Sequence, residues 1–290
     1  MDINRPAPRF ETAFAVNFSS IVYGPGAARE VGDHALDLGL RRVLVLTDHR
    51  VRDLPVTTVV VQALAQAGIE ADVYDGVEVE PTDASFQAAA EVAGAGHYDG
   101  FVAVGGGSTI DTAKAANLYA TYPAPFLDYV NPPIGRGLPP PGPLRPLIAI
   151  PTTAGTGSET TGVAIFDFRE LRAKTGIAHR RLRPTLGIVD PDLLATLPAS
   201  VAACAGFDVL CHALESLTAR PYRDRPAPER PLDRPAYQGS NPFSDVWAEQ
   251  AIRLVSRALP RLVADRSDAE AREAMALAST YAGVGFGNAG

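Results

Sequence analysis

The sequence predicts an α/β protein: a parallel, Rossmann-like domain over residues 1–195, followed by an all-helical domain over residues 196–290. Three observations predict it. Short apolar, β-prone runs alternate with stretches of helical spacing through the first two-thirds of the chain. One of those runs, residues 101–104, stops at Gly105-Gly106-Gly107, where a helical pattern begins. After about residue 196 the strand pattern disappears and three helical patterns follow.

The elements follow in order. Residues 42–48 read as a buried strand and 55–67 as a helix stopped by Gly68. A second strand occupies 71–74. A helix over 82–95 has Thr82 or Asp83 as its cap and Gly96 at its end. The third strand, 101–104, leads through the glycines into a helix over 108–119, and a fourth strand covers 147–150. Strands separated by helices of this length imply a parallel sheet covered on both faces, with ligands at the carboxyl ends of its strands. The Pro- and Gly-rich stretch 123–146 reads as a loop, and helices are expected over 200–219, 245–259 and 268–283.

Composition narrows the class. Apolar content of 46% with 20% charged residues is that of a globular protein, and a net charge of −7 argues against a nucleic-acid partner. Cys204 and Cys211 are too few for a disulfide framework and sit two turns apart on one expected helix, so a reducing compartment fits. The N-terminus lacks a basic segment followed by an apolar core, and no apolar run approaches the roughly 18 residues of a membrane span. A cytoplasmic protein without a membrane partner is expected.

The triple glycine is the most informative motif. Residues without Cβ let the backbone approach a ligand closely, and the helix opening at Ser108 directs free N–H groups and its positive dipole end there. Such a place suits a phosphate or pyrophosphate. Asp48, at the end of the first strand, is read in two ways. It takes the ribose hydroxyls of an adenosine and disfavours a 2′-phosphate, or it caps a turn. Thr152, Thr153, Thr156 and Ser158, interleaved with glycines after the fourth strand, supply hydroxyls and backbone N–H groups suited to a ribose or an amide. Asp208 and His212, four apart on one helical face with Glu215 on the same side, form either half of a metal site or a helix-surface hydrogen bond. The loop after them carries Arg220, Arg223, Arg225, Arg230 and Arg234, read either as collectors of substrate carboxylates or as a solvated Pro/Arg segment.

Together these residues resemble the iron-containing alcohol dehydrogenases. Gly105, Gly106, Gly107 and Ser108, with Asp111 and Lys114, match that family's pyrophosphate loop, and residues 152–159 match its second cofactor loop. The resemblance implies that Asp48 accompanies a preference for NAD, that Lys174 contacts the cofactor, and that Asp208 and His212 are two of four metal ligands, one Asp and three His. Iron is the implied metal, with zinc also compatible with such donors. The other two histidines have no counterpart here, so the sequence reads as a fragment of a longer chain.

Segments 79–83, 158–167, 234–242 and 285–290 resemble a branch of that family that passes a hydride from a hydroxyacid of the 4-hydroxybutyrate type to an oxoacid of the 2-oxoglutarate type. The resemblance implies both acids as substrates and a homodimer as the assembly. An ordinary NAD-dependent alcohol dehydrogenase and an inactive NAD-binding fragment are the competing readings.

Overall fold

The computed structural model describes residues 9–290. Strand β1 (Ser20–Tyr23), helix α1 (Val31–Asp37), strand β2 (Arg42–Leu46), the one-turn helix α2 (His49–Arg52) and helix α3 (Pro55–Gln66) open the chain. Then come β3 (Glu70–Tyr74), α4 (Asp83–Ala95), β4 (Gly100–Gly105), α5 (Gly107–Thr121) and β5 (Leu147–Pro151). Strands β6 (Val163–Phe168), β7 (Ala173–Ala178) and β8 (Leu186–Val189) precede three long helices, α6 (Ala199–Thr218), α7 (Pro242–Ala264) and α8 (Ala269–Ala289).

Six strands form one parallel sheet in the order β1-β8-β5-β4-β2-β3. Its central strands are apolar at every buried position, and their alternation sorts those residues onto two faces. Val43, Val45, Val102, Val104, Ile148 and Ile150 pack against Val31, Val60 and Leu64 of α1 and α3. Leu44, Leu46, Phe101, Ala103 and Ala149 pack against Ala89 and Ala93 of α4 and Ile110, Ala113 and Ala116 of α5. Covering both faces leaves the strand ends as the open part of the sheet. Because β5, β4 and β2 are neighbours, with Gly105 opposite Pro151 and Leu46 opposite Ala103, the loops after all three emerge side by side.

Thr82 is the cap of α4. Its hydroxyl accepts from Ser85 N (3.1 Å) while Ser85 Oγ accepts from Thr82 N (2.8 Å), a reciprocal capping box.

Several elements depart from the sequence reading. Strands β1 and β8 join the sheet although each is four residues long, too short to show a period. The antiparallel hairpin β6–β7 lies outside the sheet. Helix α7 runs through Pro260 to Ala264 instead of stopping at 259. A proline removes one donor, and the buried Val255, Ala258 and Leu262 hold the last turns in place regardless. Among the described residues α6 is long and apolar enough, by length and composition alone, to cross a membrane, contrary to the expectation that no run is. It packs on α7 and α8 through Ala202, Val209 and Ala213 and carries Asp208, His212 and Glu215. Both cysteines are free.

Candidate active site

The three glycines owe their place to space, not to unusual dihedrals. None has a positive φ. A Cβ on Gly105 would stand 2.3 Å from Thr109 Oγ1, and one on Gly107 would stand 2.6 Å from Thr156 Cγ2. The β4–α5 turn is therefore pressed against both its own helix and the loop after β5. Gly106 is the N-cap of α5 and offers no side chain to the first turn; Thr109 N turns back to Gly106 O (3.1 Å), and the Gly107 and Ser108 N–H groups remain open to a ligand.

Two clefts meet at this turn, and both include Gly107 and Ser108. The first, of about 550 Å³, is lined by Asp48, Val51, Gly106, Thr152 and Thr153 together with Leu193 and Pro198. The second, of about 400 Å³, is lined by Asp111, Thr156, Ser158, Lys174, Asp208 and His212, with Tyr237 and Phe286 as aromatic walls. Asp48, Gly106, Gly107, Ser108, Asp111, Thr152, Thr153, Thr156, Ser158, Lys174, Asp208 and His212 all lie on one cleft or the other, while Gly105 ends β4 behind them.

Asp48 does cap: its Oδ1 accepts from Arg50 N (2.9 Å) and Val51 N (3.1 Å), which starts α2. It also lines the larger cleft, so both readings of it remain compatible with one geometry.

The floor of the smaller cleft is held by Lys114, which the resemblance placed in the pyrophosphate loop. Lys114 is fully buried, and its Nζ donates to Ser158 Oγ (2.6 Å), Thr161 Oγ1 (3.1 Å), Val163 O (2.8 Å) and Asp111 Oδ1 (3.3 Å). Ser158 in turn donates to Asp111 Oδ1 (2.5 Å), and Asp111 Oδ2 accepts from Ile165 N (2.9 Å). Burial lowers the Lys114 pKa, and the Asp111 carboxylate opposes that. The network ties α5, the loop after β5 and strand β6 into one surface. Glu159 adds a second tie: it is buried and accepts from Thr280 of α8 (2.8 Å). Burial raises its pKa.

Lys174 reaches the cleft from β7, and Glu80 holds it in an ion pair, with Asp167 Oδ1 at 3.7 Å. Those partners, the Glu80 hydrogen bond first, raise the Lys174 pKa. Glu80 itself was not anticipated. Its φ of 57° is left-handed, which a non-glycine residue adopts at some strain, and its N–H donates to Ser108 Oγ (3.3 Å). Glu80, Thr161, Tyr237 and Phe286 fall in the resembling segments 79–83, 158–167, 234–242 and 285–290, and only the fold shows that they share one cleft.

Asp208 and His212 face the same cleft, with Oδ1 and Nε2 3.7 Å apart, too far for a hydrogen bond. His212 stacks on Phe286 at 4.5 Å, and its Nδ1 is buried without a partner. An Asp carboxylate and an imidazole with an unused nitrogen suit a divalent metal in kind. A complete site needs three or four donors, and among the described residues no third His, Cys, Asp or Glu joins them. Glu215, expected on the same side, is exposed and lines neither cleft.

The five loop arginines do not line the cleft beside Asp208 and His212. Arg234 pairs with Glu11 (2.9 Å) and Arg230 with Asp233 (2.8 Å). Arg220 donates to Asp224 O, Arg223 to Tyr222 Oη (2.8 Å) and Arg225 to Tyr237 O (2.8 Å).

Comparison with known proteins places the chain in a family. Residues 19–191 match the family described as iron-containing alcohol dehydrogenase, and residues 236–290 match the C-terminal part of the Fe-containing alcohol dehydrogenase family. The chain is 57% identical over 280 residues to the mitochondrial hydroxyacid-oxoacid transhydrogenase of Xenopus laevis, covering 96% of this chain and 60% of that protein. Against the protein of the same name from Rattus norvegicus it is 56% identical with the same coverage, 96% and 60%. The chain thus spans about 60% of the length of the curated relatives it matches. Among solved structures, 1,3-propanediol oxidoreductase superposes with a TM-score of 0.83 at 33% identity, covering 96% of this chain and 67% of that one. Sulfoacetaldehyde reductase from Bifidobacterium kashiwanohense, solved with NAD+, superposes with a TM-score of 0.78 at 32% identity, covering 94% and 66%. One expectation is overturned: the relatives from Xenopus, rat and mouse are named as mitochondrial, so the cytoplasmic assignment is withdrawn.

Proposed function

The chain belongs to the iron-containing alcohol dehydrogenase family, and on that premise we propose that it serves a hydroxyacid–oxoacid transhydrogenase. The net reaction moves a hydride from a hydroxyacid of the 4-hydroxybutyrate type to an oxoacid of the 2-oxoglutarate type, and NAD, when bound, would supply the ring that carries it. The observation that carries the reading is the meeting of the two clefts at Gly107 and Ser108, which makes one track from Asp48 to Asp208 and His212. The 56–57% identity to proteins named as transhydrogenases favours this acid pair over a simple alcohol.

Each residue has a task in this reading. The open N–H groups at the start of α5, from Gly106 to Ser108, receive the pyrophosphate. Asp48 takes the adenosine ribose while still capping α2, and Thr152 and Thr153 complete that wall. Thr156, Ser158, Asp111 and Lys174 border the nicotinamide end. Lys114 contacts neither cleft; it positions Asp111 and Ser158. Asp208 and His212 would hold the metal, iron or zinc, which when bound polarises the substrate oxygen as a Lewis acid. Phe286 and Tyr237 keep water from the reacting carbon. The donor loses its carbinol hydrogen as hydride and its hydroxyl proton; the acceptor carbonyl gains the same two. Since the cofactor stays bound while acids exchange, the kinetics are ping-pong. A homodimer is part of the proposal, with light scattering as its check.

The test uses the full-length protein with 4-hydroxybutyrate and 2-oxoglutarate and no added cofactor. Succinate semialdehyde and 2-hydroxyglutarate should accumulate together. If turnover instead needs added NAD and accepts a simple alcohol, the protein is an ordinary dehydrogenase, the reading favoured by the likeness to 1,3-propanediol oxidoreductase.

A further inference from the structure

A third cavity, of about 590 Å³, shares Tyr237 with the cleft that holds Asp208 and His212. Its walls include Asn131, His179, Arg180, Arg225 and Arg234. The charges on these walls are unevenly spent. Arg234 is neutralised by Glu11 through two hydrogen bonds (2.9 and 3.1 Å), and Asp233 is held by Arg230. Among the described residues Arg180 and Arg225 form no ion pair. Arg225 spends one nitrogen on Tyr237 O (2.8 Å), while its Nε is buried with no partner.

His179 lines the same cavity. Burial, followed by the nearby cations Arg181, Arg180 and Arg183, lowers its pKa to about 4. It is neutral at physiological pH, and its Nδ1 accepts from Arg181 N (3.1 Å), so its proton sits on Nε2. Two guanidinium groups without counter-ions and one imidazole N–H thus surround a cavity that adjoins the reaction cleft. An unpaired, partly buried cation is stabilised by an anion with oxygen acceptors, and a carboxylate fits the guanidinium fork.

We propose that this cavity binds the distal carboxylate of a dicarboxylic oxoacid whose keto group lies in the cleft beside Asp208 and His212, with Arg180 and Arg225 as the specificity-determining residues. The proposal rests on the transhydrogenase reading and gives it a molecular basis for choosing diacids.

Arg180→Gln is the main test, because among the described residues the Arg180 side chain makes no hydrogen bond or ion pair on which folding would depend. In the full-length enzyme its KM for 2-oxoglutarate should rise about tenfold or more. Its KM for the monoacid 2-oxobutanoate and its kcat should stay unchanged, and Arg180→Lys should recover part of the loss. An equal rise for both acids, or no rise for either, overturns the proposal. A second measurement does not need turnover. Glutarate added to the wild-type protein should raise the His179 pKa, followed by NMR, from near 4 towards its ordinary value, and do so less in Arg180→Gln. No movement of His179 overturns the proposal even if the enzyme is active. Movement of His179 in a protein that transfers no hydride supports the anion cavity and sinks the transhydrogenase reading instead.

Discussion

The two ends of the smaller cleft are finished to different degrees. At the α5 end, Lys114 has four acceptors and no exposure, and both oxygens of Asp111 are used. At the α6 end, the Asp208 side chain is 40% exposed, His212 Nδ1 has no partner, and their facing atoms stand 3.7 Å apart. Groups that hold a scaffold complete their hydrogen bonds within the fold, since an unmatched buried donor or acceptor is expensive. Groups meant for a ligand keep valence in reserve. The difference separates residues whose loss damages the fold from those whose loss damages only binding.

The sharpest way to break this comparison is Lys114→Met. It leaves the carboxylate of Asp111 and two hydroxyls without their shared donor, so unfolding in urea should show a loss of about 3–5 kcal/mol. A loss under about 1 kcal/mol would mean that the network is not structural. Next comes Gly157→Ala, which tests how tightly the second loop seats on α8. Gly157 has a φ of 59°, and a Cβ there would stand 2.6 Å from the Gly283 backbone. Backbone strain and overlap together should cost about 2–4 kcal/mol, read from the same urea titration.

At the other end, in metal-free buffer, Asp208→Ala should leave the unfolding free energy within about 0.5 kcal/mol of wild type, as exposed substitutions do, and His212→Ala should cost about 1 kcal/mol through the lost stack on Phe286. Both should abolish stoichiometric metal in elemental analysis. Metal retained in both variants would remove the pair from the metal site. The smallest change in stability belongs to Asp48→Asn, because Asn caps a helix as well as Asp and the shift should stay within a few tenths of a kcal/mol. NAD affinity by calorimetry is the discriminating readout. A drop marks a ribose contact, and unchanged affinity leaves Asp48 as a cap alone.

Much of the sheet was legible because β2, β4 and β5 are buried on both faces and so are apolar without interruption. Strand β8 hides behind Gly187, and β1 is half-exposed and only four residues long, so neither offers a period to read. The hairpin β6–β7 carries Asp167, Lys174 and Gly176, which blur its alternation. In the site, the glycine turn and the Thr/Ser loop were visible as local motifs. Glu80, Tyr237 and Phe286 were visible only as members of the resembling segments 79–83, 234–242 and 285–290; that all three reach one cleft was not. The five arginines were read either as carboxylate collectors or as a solvated segment: their crowding in sequence was visible, but their partners were not.

By itself the sequence determined what depends on neighbours along the chain. A capping box spans four residues, Asp208 and His212 share a helical face because a turn is 3.6 residues, and a run of three glycines removes Cβ atoms wherever it is placed. Tertiary structure alone decided that β5, β4 and β2 lie side by side, so that Asp48, Gly106 and Thr152 line one cleft. It also decided which polar atoms are spent and which are left over, from Lys114 to His212 Nδ1. Strand order and the matching of buried donors depend on residues far apart in the chain, brought together by the burial of apolar faces, and no local propensity encodes them.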